Sequence, residues 1–207
     1  MALTQTQVSE LYVAIFNRAS DGEGNEFWQG TGLDAANVAT EMLATEAAAE
    51  YFGTALETDQ AFIEHIYQNT LNKSATDDPE GIAYWVGLLE DGATRGEVVA
   101  GLVSAIASYA PDGENYDPDD AITVAAYNQF ANRVEVSNYT AETVQTIAVD
   151  EIDSTLSFSS ALNVTDDSST VETAKTAVDN VAGPPTFSIA AAASTVVEGS
   201  GLEFTVT

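Results

Sequence analysis

The sequence predicts a mainly α protein: a multi-helix N-terminal domain with an internal duplication, then the first strands of a β-sandwich-like domain. Three observations predict it. First, Tyr12-Val-Ala-Ile-Phe-Asn17-Arg18 … Gly24-Asn-Glu-Phe27-Trp28 returns as Tyr67-Gln-Asn-Thr-Leu-Asn72-Lys73 … Gly81-Ile-Ala-Tyr84-Trp85, at an offset of 55 and then 57 residues. Recurrence at such a period marks a repeated supersecondary unit. Second, apolar residues through residue 150 follow helical spacing. Third, after Gly183-Pro184-Pro185 the spacing changes to period two, in Leu202-Glu-Phe204-Thr-Val206-Thr.

Taken in order, Thr4-Gln-Thr-Gln7 reads as a capping box. Val8, Leu11, Tyr12, Ile15 and Phe16 then form one apolar face, and the helix is expected to stop near Ser20. Asp21-Gly-Glu-Gly24 reads as a turn, and Phe27 and Trp28 begin a short helix. Asp34 caps a helix through Val38, Met42 and Leu43, and Ala47 to Phe52 is a further piece stopped by Gly53. The second unit has its stripe at Phe62, Ile63, Ile66 and Tyr67. Asp78 as N-cap with Pro79 at the first helical position opens a helix whose Tyr84, Trp85, Leu88 and Leu89 face inward. Thr94-Arg-Gly-Glu97 is a second capping box, ahead of Val98, Val99, Leu102 and Ile106.

A helix from about Asp119 to Ser137 should bury Ile122, Val124, Tyr127 and Phe130, and Thr140 should cap a shorter one through Val144 and Ile147. It carries a partial third copy, Tyr127-Asn-Gln-Phe-Ala-Asn132-Arg133. The expected organisation is a helical domain over 1–182, with units at about 3–57 and 58–110, helices at 117–150 and a less regular stretch at 150–182. Residues 170–181 read as a last helix, and 183–207 as a linker and the start of a β-domain. The chain ends within a candidate strand, and two strands alone make no stable sheet, so we expect it to be the N-terminal piece of a longer β-rich protein.

Composition narrows the function. The 33 acidic and 5 basic residues give a formal net charge of -28. Self-repulsion on that scale calls for cations or salt. It also argues against nucleic acid, which needs a basic patch, and against direct attraction to an anionic membrane. Hydrophobic residues make up 45% of the chain, enough for a real core. There is no cysteine, hence no disulfide or thiol chemistry. Met1-Ala-Leu-Thr-Gln-Thr-Gln-Val has neither the basic nor the apolar region of a signal peptide, and no apolar run spans a bilayer.

Two kinds of site suggest themselves. Asp112, Glu114, Asn115, Asp117, Asp119 and Asp120 crowd six oxygen-bearing side chains into nine residues, as a hard cation such as Ca²⁺ requires. The loop lacks the glycine and terminal glutamate of an EF-hand, and an acidic turn capping the next helix is the competing reading. Asp21 and Glu23, and likewise Asp77 and Asp78, sit in the repeat turns, where helix capping competes with metal binding. Trp28 and Trp85 could stack on sugar rings or pack in the core. Arg18, Lys73 and Arg133 follow the Asn of each copy and are three of the five basic residues. They could contact sugar phosphate or carboxylate, or pair with a nearby acid or helix C-terminus. His65 is the only histidine, and no G-x-S-x-G, P-loop or Rossmann pattern occurs, so no catalytic constellation stands out.

The elements Gly24-Asn-Glu-Phe27-Trp28 and Gly81-Ile-Ala-Tyr84-Trp85, each after an aromatic helix and an acidic turn, resemble a domain-of-unknown-function family found in secreted bacterial proteins. With the segment from Phe130 to Tyr139, the likeness covers roughly residues 3–150. More narrowly, the chain resembles the N-termini of Gram-negative surface-layer and related RTX-type proteins. That resemblance implies type I secretion without a cleaved N-terminal signal and a place on the outer cell surface. It further implies calcium-dependent self-association into a lattice, and a helical domain that binds lipopolysaccharide. Val196-Val197-Glu198-Gly199 … Phe204-Thr-Val206 resembles the start of a Calx-β- or immunoglobulin-like domain. The expectation is therefore a structural, non-catalytic anchor. The alternatives are the N-terminal module of a large type I-secreted adhesin or exoprotein and, third, a glycan-active enzyme.

Overall fold

The computed structural model describes residues 2–145, 164–182, 189–191 and 204–206. They form a mainly helical protein. The helices are α1 (Gln5–Phe16), α2 (Gly22–Gly30), α3 (Ala35–Leu43), α4 (Glu46–Phe52), α5 (Asp59–Leu71), α6 (Pro79–Glu90), α7 (Arg95–Ala107), α8 (Ala121–Thr143) and α9 (Ser169–Ala182). A 3-10 turn, Gly53–Leu56, follows α4. Strands β1 (Ile189–Ala191) and β2 (Phe204–Val206) pair antiparallel, with Ile189 opposite Val206. The expected linker from 183 and the Val196–Gly199 run lie outside the described residues.

Side-chain caps start the helices where short-range chemistry dictates. The capping boxes at Thr4 with Gln7 and at Thr94 with Glu97 are both formed in full. Asp34 and Asp78 accept hydrogen bonds from the amides of Asn37 and Gly81, at 2.9 Å each. Helix α1 ends earlier than the sequence suggested. Asn17 adopts the left-handed conformation at φ 50° and closes it four residues before Asp21, and Asn72 closes α5 in the same way at φ 53°. Asparagine tolerates that region better than other residues with a Cβ. Helix α2 starts earlier than expected. Asp21 caps it, so the glycine-containing stretch predicted as a turn is its first turn.

Helix α1 is the centre of the fold. Its expected apolar face is buried, and so are Ser9, Val13 and Ala14, because α2, α3, α4, α5, α7 and α8 all pack on it. The main core joins α1 to Val38 and Met42 of α3, Phe62 and Ile66 of α5, Val99 and Leu102 of α7, and Phe130 and Val134 of α8. A smaller core joins Val136 and Val144 to Val164, Val171, Ala174 and Val178, which seats α9 on α8.

Helix α8 corrects three sequence expectations. It runs unbroken for 23 residues, through the stretch expected to end one helix and cap another. Thr140 is no cap: it is buried, and its hydroxyl bonds the Val136 carbonyl at 2.7 Å. Ser137 is buried as well, accepting from the Ser20 amide at 3.0 Å. Burial between α1, α2 and α9 keeps this polar stretch helical where its side chains alone would favour a break. Ile122, placed in the core by its spacing, is 73% exposed, while Thr123 beside it lines a cavity against α5, α6 and α7.

Candidate functional site

Each repeat builds the same lock between two helices. In the second copy Trp85 and Asp78, the cap of α6, both act on the Tyr67 hydroxyl. In the first copy Trp28 and Asp21 act on the Tyr12 hydroxyl in the same way. The glycines complete it. A Cβ on Gly24 would lie 2.5 Å from both the Tyr12 hydroxyl and Asp21, and one on Gly81 would lie 2.5 Å from the Tyr67 hydroxyl. The Tyr-Asp-Gly-Trp spacing thus clamps α2 onto α1 and α6 onto α5.

The lock fixes the position of the candidate stacking residues. Trp28 and Trp85 are partly buried against the core. Tyr84, expected to face inward, is 60% exposed, and its counterpart Phe27 is 63% exposed. Each meets its Trp edge-on, at 5.1 Å and 4.9 Å between ring centroids. The neighbouring tryptophan takes the inward position, so the preceding ring points to solvent.

The three basic residues of the copies have three different environments. Arg18 lies over the Tyr12 ring at 4.9 Å and the Phe16 ring at 5.4 Å. Lys73 lines a cavity of about 250 Å³ between α5, α6, α7 and α8, together with Tyr67, Asp78, Tyr84, Trp85, Tyr109, Thr123 and Tyr127. Arg133 is buried, 6% exposed, and its guanidinium serves the fold instead of a surface ligand. It donates to the Asn69 carbonyl at 2.8 Å, the Asn17 amide oxygen at 3.2 Å and the Val164 carbonyl at 3.3 Å. The sequence treats the three positions alike; the tertiary structure separates them.

Six of the candidate calcium ligands, Asp21, Asp77, Asp78, Asn115, Asp117 and Asp120, use their side chains in local hydrogen bonds. Asp117 accepts from the Asp119 amide at 3.0 Å, and Asp120 caps α8 by accepting from Thr123 at 3.1 Å. Asn115 donates its side-chain amide to Ser108 Oγ at 2.9 Å. Asp21 caps α2 through the Gly24 amide at 2.7 Å. Glu23 lies in the first turn of that helix, where it complements the dipole. Asp77 accepts from the amide and hydroxyl of Ser74, and these bonds hold its carboxyl below the usual range. Among the described residues no three acidic or histidine side chains converge into a group that could hold a metal ion. Glu114 and Asn115 do reach a second cavity, of about 530 Å³, which shares Tyr84 and Trp85 with the first. Asp112 acts through its charge on Tyr127.

His65 packs against Phe52 and Tyr51, at 4.5 Å and 5.0 Å between ring centroids. Its Nε2 is buried without a hydrogen-bond partner among the described residues. Burial lowers its pKa below 6.5. As pH falls through 6.5, an unfolded chain would take up this proton before the folded one, so the stability contributed here falls with pH. An NMR titration of the single imidazole should give a midpoint below 6.5. A midpoint at or above that value would contradict the burial account.

Residues 39–107 match the family model described as Domain of unknown function (DUF4214). The match covers about a third of the chain, from within α3 to the end of α7. It contains the whole Tyr67-to-Trp85 copy and the Lys73 cavity wall built by α5, α6 and α7. No curated protein and no solved structure matches the chain. Among the described residues, no helix is long and apolar enough to cross a membrane.

Proposed function

We propose that this helical domain is a structural, non-catalytic anchor. It would hold a secreted surface-layer protein to outer-membrane lipopolysaccharide and take part in lattice assembly. The observation that carries the reading is the meeting of Lys73 and Trp85, two sequence-derived glycan candidates, in one cavity with Tyr84, Tyr109 and Tyr127. Aromatic faces accept the C–H faces of sugar rings, and Asp78, Lys73 and Thr123 supply polar contacts for sugar substituents. The resemblance to surface-layer N-termini supports the same reading. So does charge, since a chain at -28 approaching an anionic glycan needs a divalent counterion. Calcium shared between surface carboxylates, Asp112 and Glu114 among them, and glycan oxygens supplies it. The continuation of the chain as a Calx-β- or immunoglobulin-like domain belongs to the same proposal.

The test is retention of the chain on purified lipopolysaccharide, with millimolar calcium and after chelation. Retention that disappears on chelation is the expected result. Retention indifferent to calcium would remove the bridging step and keep the anchor. A folded chain that binds in neither condition would overturn the anchor and leave the adhesin-module reading.

A further inference from the structure

The cavity between α5, α6, α7 and α8 has aromatic walls and an acidic surround. Tyr67, Tyr84, Trp85, Tyr109 and Tyr127 contribute its rings. Ring faces carry negative partial charge and attract cations, most strongly where water is excluded. The Tyr67 pKa is pushed up to about 12 by burial and by the Asp78 charge, so this ring remains a neutral phenol. Asp78 lines the cavity, and Asp112 acts on Tyr127. Lys73 is the one cation among the lining residues, and Asp77 and Asp120 both feel its charge. With Lys73 shared among several carboxylates, the balance around the opening is negative, as it is over the whole chain at -28. A potential of that sign concentrates cations and repels phosphate and carboxylate groups. A bare metal ion would find one lining carboxylate where calcium takes six to eight oxygens. A weakly hydrated organic cation finds rings instead.

We propose that this cavity binds an organic ammonium group, held over the Tyr84, Trp85, Tyr109 and Tyr127 rings with Asp78 as counter-charge. The inference rests on the reading of this cavity as a glycan contact and narrows it: the sugar recognised carries a free amine. The volume of about 250 Å³ accommodates one sugar ring or a choline-sized group. Lys73 is then a like charge that weakens the hold on the ammonium, and the surrounding carboxylates offset it.

The test is a ligand-observed NMR titration of the full chain. The probes are choline, its neutral carbon isostere, glucosamine, N-acetylglucosamine and a glucose phosphate. Choline is expected to bind about tenfold more tightly than the isostere, and glucosamine more tightly than its N-acetyl form. Tyr84→Ala should abolish choline binding. Lys73→Gln should strengthen it about threefold by removing a like charge. Circular dichroism establishes that both variants fold. Equal binding of choline and its isostere overturns the proposal, as does a preference for the glucose phosphate that Lys73→Gln removes. Equal binding of glucosamine and N-acetylglucosamine overturns the ammonium inference and keeps the glycan reading. Choline binding with no binding of any sugar keeps the ammonium site and removes the glycan from this cavity. Binding of none of the probes overturns both.

Discussion

Gly96→Ala is expected to destabilise the protein by about 3 kcal/mol, the upper end for overpacking a tight contact. Gly96 lies in the first turn of α7, where that helix crosses α3. A Cβ there would collide with the Ala36 carbonyl oxygen and the Thr40 hydroxyl, and would sit 2.8 Å from the Thr40 amide nitrogen. Two of these atoms are backbone, so relief requires the helices to separate and Val38, Val99 and their neighbours to lose contact. Gly87→Ala in α6 is the control, because nothing lies within 4 Å of its added methyl. It should stabilise by about 0.5–1 kcal/mol, the ordinary gain for this exchange inside a helix. Chemical denaturation of the two variants therefore gives opposite signs. Equal, small effects would mean that α3 and α7 are not in backbone contact.

Arg133→Met should cost a similar amount, about 3 kcal/mol, although the side chains are close in length. The guanidinium joins parts of the chain that are far apart in sequence: the C-terminal ends of α1 and α5 and the residue at 164 that leads toward α9. The Gln129 amide, with its oxygen turned toward the guanidinium, accepts from Nη2 at 2.6 Å. These partners are uncharged. What offsets the buried positive charge is their oxygens together with the negative ends of two helix dipoles. Burial draws the Arg133 pKa down to about 10, which leaves it charged at neutral pH. Methionine fills space but leaves the acceptors unsatisfied. Beyond lower global stability, amide exchange in α9 should accelerate, because the Val164 tie is lost. Unchanged stability, or loosening confined to α8, would refute this account.

The two substitutions show what kind of information was legible in the residues. Thr4 with Gln7, Asp34, Asp78 with Pro79, and Thr94 with Glu97 were readable because a cap acts within three or four residues. The pairing of Tyr12, Gly24 and Trp28 with Tyr67, Gly81 and Trp85 was readable as a repeat. That it clamps pairs of helices together was not, because the contacts join residues 12 to 18 apart on two different helices. Asn17, Asn72 and Asn132 occupy the same place in the three copies. Two of them end helices; Asn132 stays inside α8 and donates to the Thr165 carbonyl at 2.7 Å. Local preference for the left-handed turn is worth little against an uninterrupted, buried helix.

The sequence by itself determined the mainly helical class, most helix starts, the apolar stripes of α1, α5 and α7, and the strongly acidic charge. Each of these depends on composition or on neighbours one to four residues away. Only the tertiary structure decided which aromatic of each pair faces solvent, which basic residue is buried, and that α8 runs unbroken. It also brought Lys73, Asp78 and Trp85 into one cavity with Tyr109 and Tyr127. Those outcomes depend on which helices pack together, and packing joins residues whose separation along the chain carries no local signal.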